Sequence, residues 1–516
     1  MSAPISALFP TDSLRRLEAA ALAGLPPGTL MARAAGAVAD ATARLARSLA
    51  PGRPVLALVG PGNNGGDALL ALALLRERGY ACSAVASSSG PPSRGDAAEA
   101  WRAAQAAGVP IDTPEALDAR LAAAPIVIDG LFGIGLDRPL AGQARRFCEA
   151  VARAALPVVA VDLPSGLDAD TGAIVGGTAG CALSARLTVT MIADKPGLHT
   201  GAALDRVGTV EVATLGLEAA RETFVQRAGS SIGQLFDAAG AAALLAPRAR
   251  DSNKGSFGSV LAYGGARGMR GAALLAGRGA QALGAGKVFV AAPDGEPFDP
   301  GQPQLMTAPA EPDFGVCDAV AIGCGLGRSG AARRQLAAAL ASARALVLDA
   351  DALNLLAADA SLLAAPPAAA PQRCVMTPHP LEAARLLGCE AAQVQADRRG
   401  AAVALAQRYR MVALLKGAGS VVADPGGAWW IVGAGSPALA SAGTGDVLAG
   451  MIAALLARGL DAAPAACLAA WLHGRAGMRF ETAHGHAEGL SAAELPRWVR
   501  VALHRPPERG VTANER

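Results

Sequence analysis

The sequence predicts an α/β protein built as two three-layer domains, each a parallel sheet with helices on both faces. Three observations predict it. Short continuous apolar runs alternate with Ala/Arg-rich amphipathic stretches from residue 54 to 193. The same alternation restarts at residue 259 and continues to 417. Between them, residues 214–245 are weakly patterned and rich in alanine. Apolar runs without polar alternation fit strands buried on both faces, the condition of a parallel sheet between two helix layers. At 516 residues the chain is long enough for two such cores. The boundaries read as 1–222 for the first domain, 223–245 for the junction, 246–505 for the second domain and 506–516 for a tail.

Taken in order, Thr11 reads as an N-cap, with helical patterns running to about residue 50. The strands of the first sheet follow as PVLALVG (54–60), ACSAVAS (81–87), PIVIDG (125–130), LPVVAVD (156–162) and LTVTMIA (187–193). Those of the second are SVLAYGG (259–265), KVFVAAP (287–293), DAVAIG (318–323), ALVLDAD (345–351), RCVMTP (373–378) and MVALLKG (411–417). Residues 420–433 predict a hairpin turning through Asp424-Pro425-Gly426-Gly427. The stretches from Gly445 to Gly459 and from Ala463 to Phe480 predict helices.

Composition excludes several classes. A net charge of +3 leaves no electrostatic footprint for nucleic acid. The longest charge-free stretch, Pro425 to Gly445, is broken throughout by Gly, Ser and Pro, so no membrane span is expected. The N-terminus lacks a basic segment followed by an apolar one, and none of the eight cysteines forms a C-x-x-C pair. A cytoplasmic protein with reduced thiols is expected. Only four of the 46 basic residues are lysines: Lys195, Lys254, Lys287 and Lys416. Asparagine is scarce too, at positions 63, 64, 253, 354 and 514. Because a compact ammonium and a planar guanidinium are not interchangeable, these survivors are candidates for positions where Arg or Asp will not serve.

GPGNNGGDA (60–68) follows the first strand of the first domain and opens a helix. Its glycines allow a sharp turn that presents N–H groups to an anion. It is neither a Walker A loop nor G-x-G-x-x-G. Asn63 and Asn64 offer carbonyl oxygens to a cation or a sugar hydroxyl. DGLFGIGLDRP (129–139) and VDLPSGLDADTG (161–172) follow later strands of the same sheet. Carboxylate, amide and hydroxyl oxygens without clustered Cys or His suit a hard cation, not zinc. Asp168 and Asp170 read as turn punctuation.

In the second domain, ASAGTGDVLAGMIAALLARG (440–459) carries the strongest signal. Gly443, Gly445 and the following helix would form an anion hole, with Asp446 in its first turn placed as a general base. KGAGS (416–420) supplies Lys416 at a strand end, and TPHPLE (377–382) supplies His379 and Glu382 at another. These residues alone leave open a small-molecule kinase for a vitamin precursor or sugar, beside a first domain that only binds.

GPGNNGGD, DGLFGIGL, DLPSGLDADTG and Lys195-Pro196-Gly197-Leu198 resemble the NAD(P)H-hydrate epimerase domain over about residues 1–220. The resemblance implies a Rossmann-like fold in which Asn63, Asn64, Gly65, Gly66 and Asp67 contact the hydrated nucleotide. Gly133, Ile134, Gly135, Leu136, Asp137, Arg138 and Pro139 would contact it as well. Asp162 would serve acid/base chemistry, and Asn64, Asp129 and Ser165 would hold K+. The chain departs from the family at Ala68, where a glycine is usual.

NKGSFGSVLAYGGARGMRGAALLAG (253–277), GCGLG (323–327), LDADALNLL (348–356), TPHPLEAARLL (377–387), LLKGAGS (414–420) and the GTGD segment resemble the ribokinase-like ADP/ATP-dependent NAD(P)H-hydrate dehydratases over roughly 230–505. This implies that Ala272, Gly325, Gly327, His379 and Asp446 line the hydrated nicotinamide. Lys416, Gly417, Ala418, Gly419, Ser420 and Gly445 would hold ADP or ATP, with Mg2+ accompanying the nucleotide. Cys324 replaces a usual Pro, Leu381 a Gly and Ala442 a Gly. Together the resemblances imply a bifunctional repair enzyme with NADHX and NADPHX, the hydrated NADH and NADPH, as substrates. It would need no nucleic-acid or membrane partner, and a homo-oligomer is expected.

Overall fold

The computed structural model describes residues 6–88 and 90–504, so the tail at 506–516 lies outside the described residues. They divide into two compact units, 7–233 and 234–504, with Ser6 joining the second.

The first unit is built on seven parallel strands. Their order is Ile111–Asp112, Cys82–Ala86, Val55–Val59, Ile126–Gly130, Val158–Val161, Leu187–Met191 and Thr209–Ala213. The five inner strands are buried at every residue, which is why they appear in the sequence as largely apolar runs, with Ser83, Asp129, Thr188 and Thr190 buried among them. The two edge strands escape that signal. Ile111–Asp112 is two residues long, and Thr209–Ala213 alternates Thr and Glu with Val on a half-exposed edge. Strand order reverses at Val55–Val59, which has Cys82–Ala86 on one side and Ile126–Gly130 on the other. Such a reversal opens a crevice at the carboxyl ends of the strands.

The N-terminal helical stretch is two helices, Thr11–Leu22 and Thr29–Ser48. Pro26-Pro27-Gly28 separates them, with Gly28 at φ 75°. The expected N-cap at Thr11 is not observed. Pro10 holds that position, and Thr11 is the first helical residue, its N–H donating to Asp170 Oδ1 at 2.8 Å. Asp170 caps a helix distant in sequence, while Asp168 accepts from Asp170 N–H and Thr171 N–H within its own turn.

The second unit's parallel strands run Met306–Thr307, Lys287–Ala291, Ser259–Tyr263, Ala319–Ile322, Leu346–Leu348, Cys374–Met376 and Val412–Leu415. The hairpin Val421–Ala423 and Trp429–Val432 continues the sheet antiparallel. Gly233–Phe236 then pairs parallel to Trp429–Val432. That strand falls inside the stretch the sequence leaves weakly patterned, which also holds helices Glu218–Ala228 and Ala238–Leu244. Order reverses at Ser259–Tyr263. Gly264, Gly323, Asp349, Thr377 and Lys416 all follow strands at one sheet edge.

Helix Thr444–Ala457 lies over that sheet against helix Gly271–Ala282. Their approach requires glycine. A Cβ on Gly450 would stand 1.8 Å from Ala276 O, and one on Gly279 would stand 2.1 Å from Val447 O. Gly450→Ala will therefore push the helices apart and destabilise this unit by about 3 kcal/mol, the upper end for overpacking. Thermal unfolding measures it, and an unchanged midpoint would contradict so close an approach.

Candidate active sites at two sheet edges

In the first unit, the loop after Val55–Val59 is shorter than its motif suggests. Helix Asn63–Glu77 already begins at Asn63, so Asn63 to Asp67 form its first turn. Glycine is needed where this turn meets its neighbours: a Cβ on Gly60 would lie 1.9 Å from Leu131 O, and one on Gly65 2.2 Å from Gly60 O. Ala68, the departure from the family, is fully buried, and its methyl group sits where Gly130 has no side chain. The helix starts without interruption.

Asp162 follows strand Val158–Val161 in a left-handed conformation, φ 72°, that a non-glycine residue rarely adopts. Its two oxygens have different surroundings. Oδ1 accepts from Met191 N–H at 3.1 Å and pairs with Lys195 Nζ at 2.6 Å. Oδ2 accepts only a long bond from Ile134 N–H, 3.3 Å. It lies toward Asn64: a Cβ on Gly133 would stand 2.9 Å from Asp162 Oδ2 and 3.1 Å from Asn64 Oδ1. Asn64, Gly133, Ile134 and Asp162 thus converge. Asp67 is buried nearby, and its carboxyl is held well above the usual range by burial and then by the Asp162 charge. Asp137 and Arg138 do not join them: they pair with each other on the surface. Pro139 packs at Gly176.

Asp129 and Ser165 form a separate, fully enclosed pair. Ser165 Oγ donates to Asp129 Oδ1 at 2.7 Å, and Ser165 N–H donates to Oδ2 at 2.7 Å. Burial pushes Asp129 up to about 6 despite these bonds. Among the described residues no cationic side chain pairs with it. The side-chain nitrogen of Asn64 is likewise buried without a partner. A buried carboxylate lacking a counter-charge, bonded to a serine hydroxyl, offers oxygen donors of the kind that suit a hard cation.

In the second unit, Asp446 occupies the first turn of helix Thr444–Ala457, whose N-cap Gly443 has φ 89°. His473, kept neutral by burial with its pKa lowered to about 4, bonds Thr444 O at 2.9 Å and supports the turn from behind. Facing Asp446 are Asp349 and Cys324, with one ligand atom from each of the three within 4.8 Å of the others. Lys416 Nζ pairs with Asp349 Oδ1 at 2.7 Å. Burial disfavours the ammonium, but Asp349 and Glu382 outweigh it. Gly445 backs onto Lys416, since a Cβ there would lie 3.4 Å from Nζ. Ala272 and Gly325 also meet: a Cβ on Gly325 would be 3.0 Å from that of Ala272. Gly327 is held by its N–H bond to Asp351, 2.8 Å.

His379 forms a capping box with Glu382. Its Nδ1 accepts from Leu381 and Glu382 N–H groups, and its own N–H donates to Glu382 Oε2 at 2.9 Å. Burial and Lys416 lower its pKa. The Leu381 side chain is exposed, so replacing glycine there costs no packing. The turn 416–420 is anchored from below by Arg398, itself 1% exposed, which donates to Lys416 O at 3.2 Å. Ser420 Oγ closes the turn onto Gly417 O.

Sequence reasoning missed Asp349, Lys195 and Arg398 as site residues. Asp349 ends a strand as Asp162 does, and Lys195 is one of four lysines, so both carried a legible signal. Arg398 is one arginine among dozens and carried none.

Burial, then the Asp349 charge, pushes Asp446 up to about 7, against the Cys324 thiol hydrogen bond and Lys416. A base works only when ionised. Nucleotide-dependent turnover should therefore rise with pH up to about 7 and level off above it. Cys324→Ala removes a bond that favours the carboxylate and should move this limb to higher pH. A limb at the ordinary carboxylate value, or one unmoved by the substitution, would contradict the arrangement.

A family model described as NAD(P)H-hydrate dehydratase matches residues 260–497, and one described as YjeF-related protein N-terminus matches residues 27–197. The Bifunctional NAD(P)H-hydrate repair enzyme Nnr of Coxiella burnetii is 36% identical over 97% of this chain and 100% of its own. The Escherichia coli protein of the same name is 37% identical over 94% of this chain and 91% of its own. A solved ADP/ATP-dependent NAD(P)H-hydrate dehydratase from Bacillus subtilis is 29% identical, covering 53% of this chain and 98% of its own with a TM-score of 0.46.

Proposed function

The chain belongs to the bifunctional NAD(P)H-hydrate repair enzymes, and on that premise we propose how its two units divide the work. The enzyme interconverts the R and S forms of hydrated NAD(P)H and dehydrates the S form to NAD(P)H with a nucleotide phosphoryl donor. The observation that carries the second step is the constellation of buried Asp349 with half-buried Asp446 and Lys416 at the mouth of a glycine turn.

In the second unit, Asp446 takes the proton of the C6 hydroxyl as that oxygen attacks the terminal phosphoryl group of ADP, or of ATP. Gly445, the 416–420 turn and Lys416 receive the phosphates. Mg2+ would enter with the nucleotide and neutralise charge on the phosphates, beside Asp349. The ring nitrogen lone pair then expels phosphate from C6, a proton leaves C5, and the double bond returns. Ala272, Gly325, Gly327 and His379 border the nicotinamide. Regeneration of reduced-nicotinamide absorbance from purified hydrate tests the reading. It should require ADP or ATP, and its absence with both would refute the dehydratase assignment.

In the first unit, Asp162 Oδ2 takes the C6 hydroxyl proton as the C6–N1 bond opens and delivers it to N1, and the reverse transfer on closure at the other face inverts C6. Asn63 to Asp67 and Gly133 to Leu136 form the walls around the nucleotide. Asn64, Asp129 and Ser165 would hold K+, which would supply the counter-charge that Asp129 lacks. The stability of this unit gives the test. A carboxylate raised to about 6 is destabilising once ionised, so without K+ the unfolding midpoint should fall as pH rises from about 4 to 6. K+ at ~100 times its dissociation constant should restore about 2.7 kcal/mol, and Asp129→Asn should remove both effects. A K+ response that survives Asp129→Asn would contradict the site.

A further inference from the structure

Lys195 is the most completely enclosed charge beside the epimerase carboxylate, with 1% of its surface exposed. It follows strand Leu187–Met191 and turns back beneath it. Its Nζ lies 2.6 Å from Asp162 Oδ1 and 2.6 Å from Thr190 Oγ1, with Met191 O and Ala193 O at 3.2 and 3.4 Å. Every polar neighbour of the ammonium is thus an oxygen held by the protein, and none is left for a ligand. The group is placed to act on Asp162, not on substrate.

Stability alone does not account for it. A buried ion pair is often no more stabilising than apolar residues of the same volume. The local charge balance does. Asp67 and Glu18 both lie within electrostatic range of Asp162, so three carboxyl groups share the region. Lys195 is the cation in direct contact with Asp162. Its position also breaks the symmetry of the carboxylate. Oδ1 is taken by Lys195, Met191 N–H and, at 3.4 Å, Thr190 Oγ1, while Oδ2 lies beside Gly133 and Asn64 with only the long Ile134 N–H bond.

We propose that Lys195 is the positioning residue of the epimerase: it fixes Asp162 through Oδ1, offsets the strained φ of that residue, and leaves Oδ2 as the one oxygen that meets the hydrate. The proposal rests on the reading of Asp162 as the acid/base group, and its test separates the two. Interconversion of the R and S hydrates is followed by chromatography on the full chain without nucleotide, so that only the first unit acts. Lys195→Met should lower kcat about 100-fold with KM changed by no more than about threefold. The same substitution placed on Asp162→Asn should cost nothing further, because a residue that acts only through its partner has no effect once the partner is gone. Thr190→Val keeps both charges but removes one bond to the ammonium and the longer one to Asp162 Oδ1, and should lower kcat about fivefold. If Lys195→Met does not fold, that variant decides, and an unchanged kcat overturns the proposal. So does a Lys195→Met enzyme within about twofold of the parent, or one that loses as much again on Asp162→Asn. Full activity of Asp162→Asn alone would sink the acid/base reading itself.

Discussion

Asp446→Asn will slow nucleotide-dependent dehydration about 1,000-fold, within the range that a positioned general base contributes. The loss should fall on kcat, because the amide keeps the shape of the side chain and its place in the first helical turn. Lys416, Asp349 and the 416–420 turn are untouched, so nucleotide binding should persist. A second consequence follows from the raised pKa. A group that titrates near 7 in the folded chain and near 4 unfolded destabilises the fold as pH rises between those values, and fully above about 7. The asparagine variant should therefore melt higher than the parent at pH above about 7 and alike at low pH. Loss of activity together with gain of stability is the signature of a charge kept buried for chemistry. A variant equally inactive but less stable would indicate a structural role instead.

Asp162→Asn will reduce consumption of the R hydrate to its spontaneous rate and leave consumption of the S hydrate unchanged. Effects separate because the two substitutions sit in different units, each with its own core. Stability of the first unit should also fall, since Lys195 loses its carboxylate partner in a fully enclosed site, a change of about 3–5 kcal/mol. A rate measured below the unfolding midpoint thus distinguishes lost chemistry from lost fold. Progress curves on the separated epimers measure both numbers.

The architecture was legible where burial is two-sided. Val55–Val59 and Val158–Val161 in the first sheet are unbroken apolar runs, and Leu346–Leu348 or Val412–Leu415 in the second are as plain. Strands at the edges, Thr209–Ala213 and Met306–Thr307, are half wet or very short and leave no such run. The break at Pro26 was hidden inside an otherwise continuous helical pattern, and Thr11 was misplaced by one position because Asp170, remote in sequence, takes over its capping role.

In the sites, single-segment features could be read directly: the glycine turns, Asp446 at a helix start and Asp162 at a strand end. Pairings across strands could not. Nothing in the chain order says that Lys195 reaches Asp162 or that Lys416 reaches Asp349, yet the scarcity of lysine marked both as unusual. Two of the four lysines thus pair with buried carboxylates, one at each sheet edge. A point charge on a flexible stem fits such an enclosure where a planar fork does not. The other two behave differently: Lys287 begins a strand with its side chain exposed, and Lys254 opens a short turn. His379, which resemblance makes a nicotinamide contact, also caps a helix through its ring nitrogen, a task that spacing between two prolines does not reveal.

The central claim is that two sites act in series on one damaged cofactor. Its most direct test is a single progress curve with an R and S hydrate mixture, ADP and Mg2+, at full chain concentration well below substrate. The intact enzyme should convert the whole mixture to the reduced cofactor. With Asp162→Asn, conversion should stop at the S fraction apart from the slow spontaneous drift. An intact enzyme that halts at the S fraction, or an Asp162→Asn enzyme that proceeds to completion at the parent rate, would contradict it.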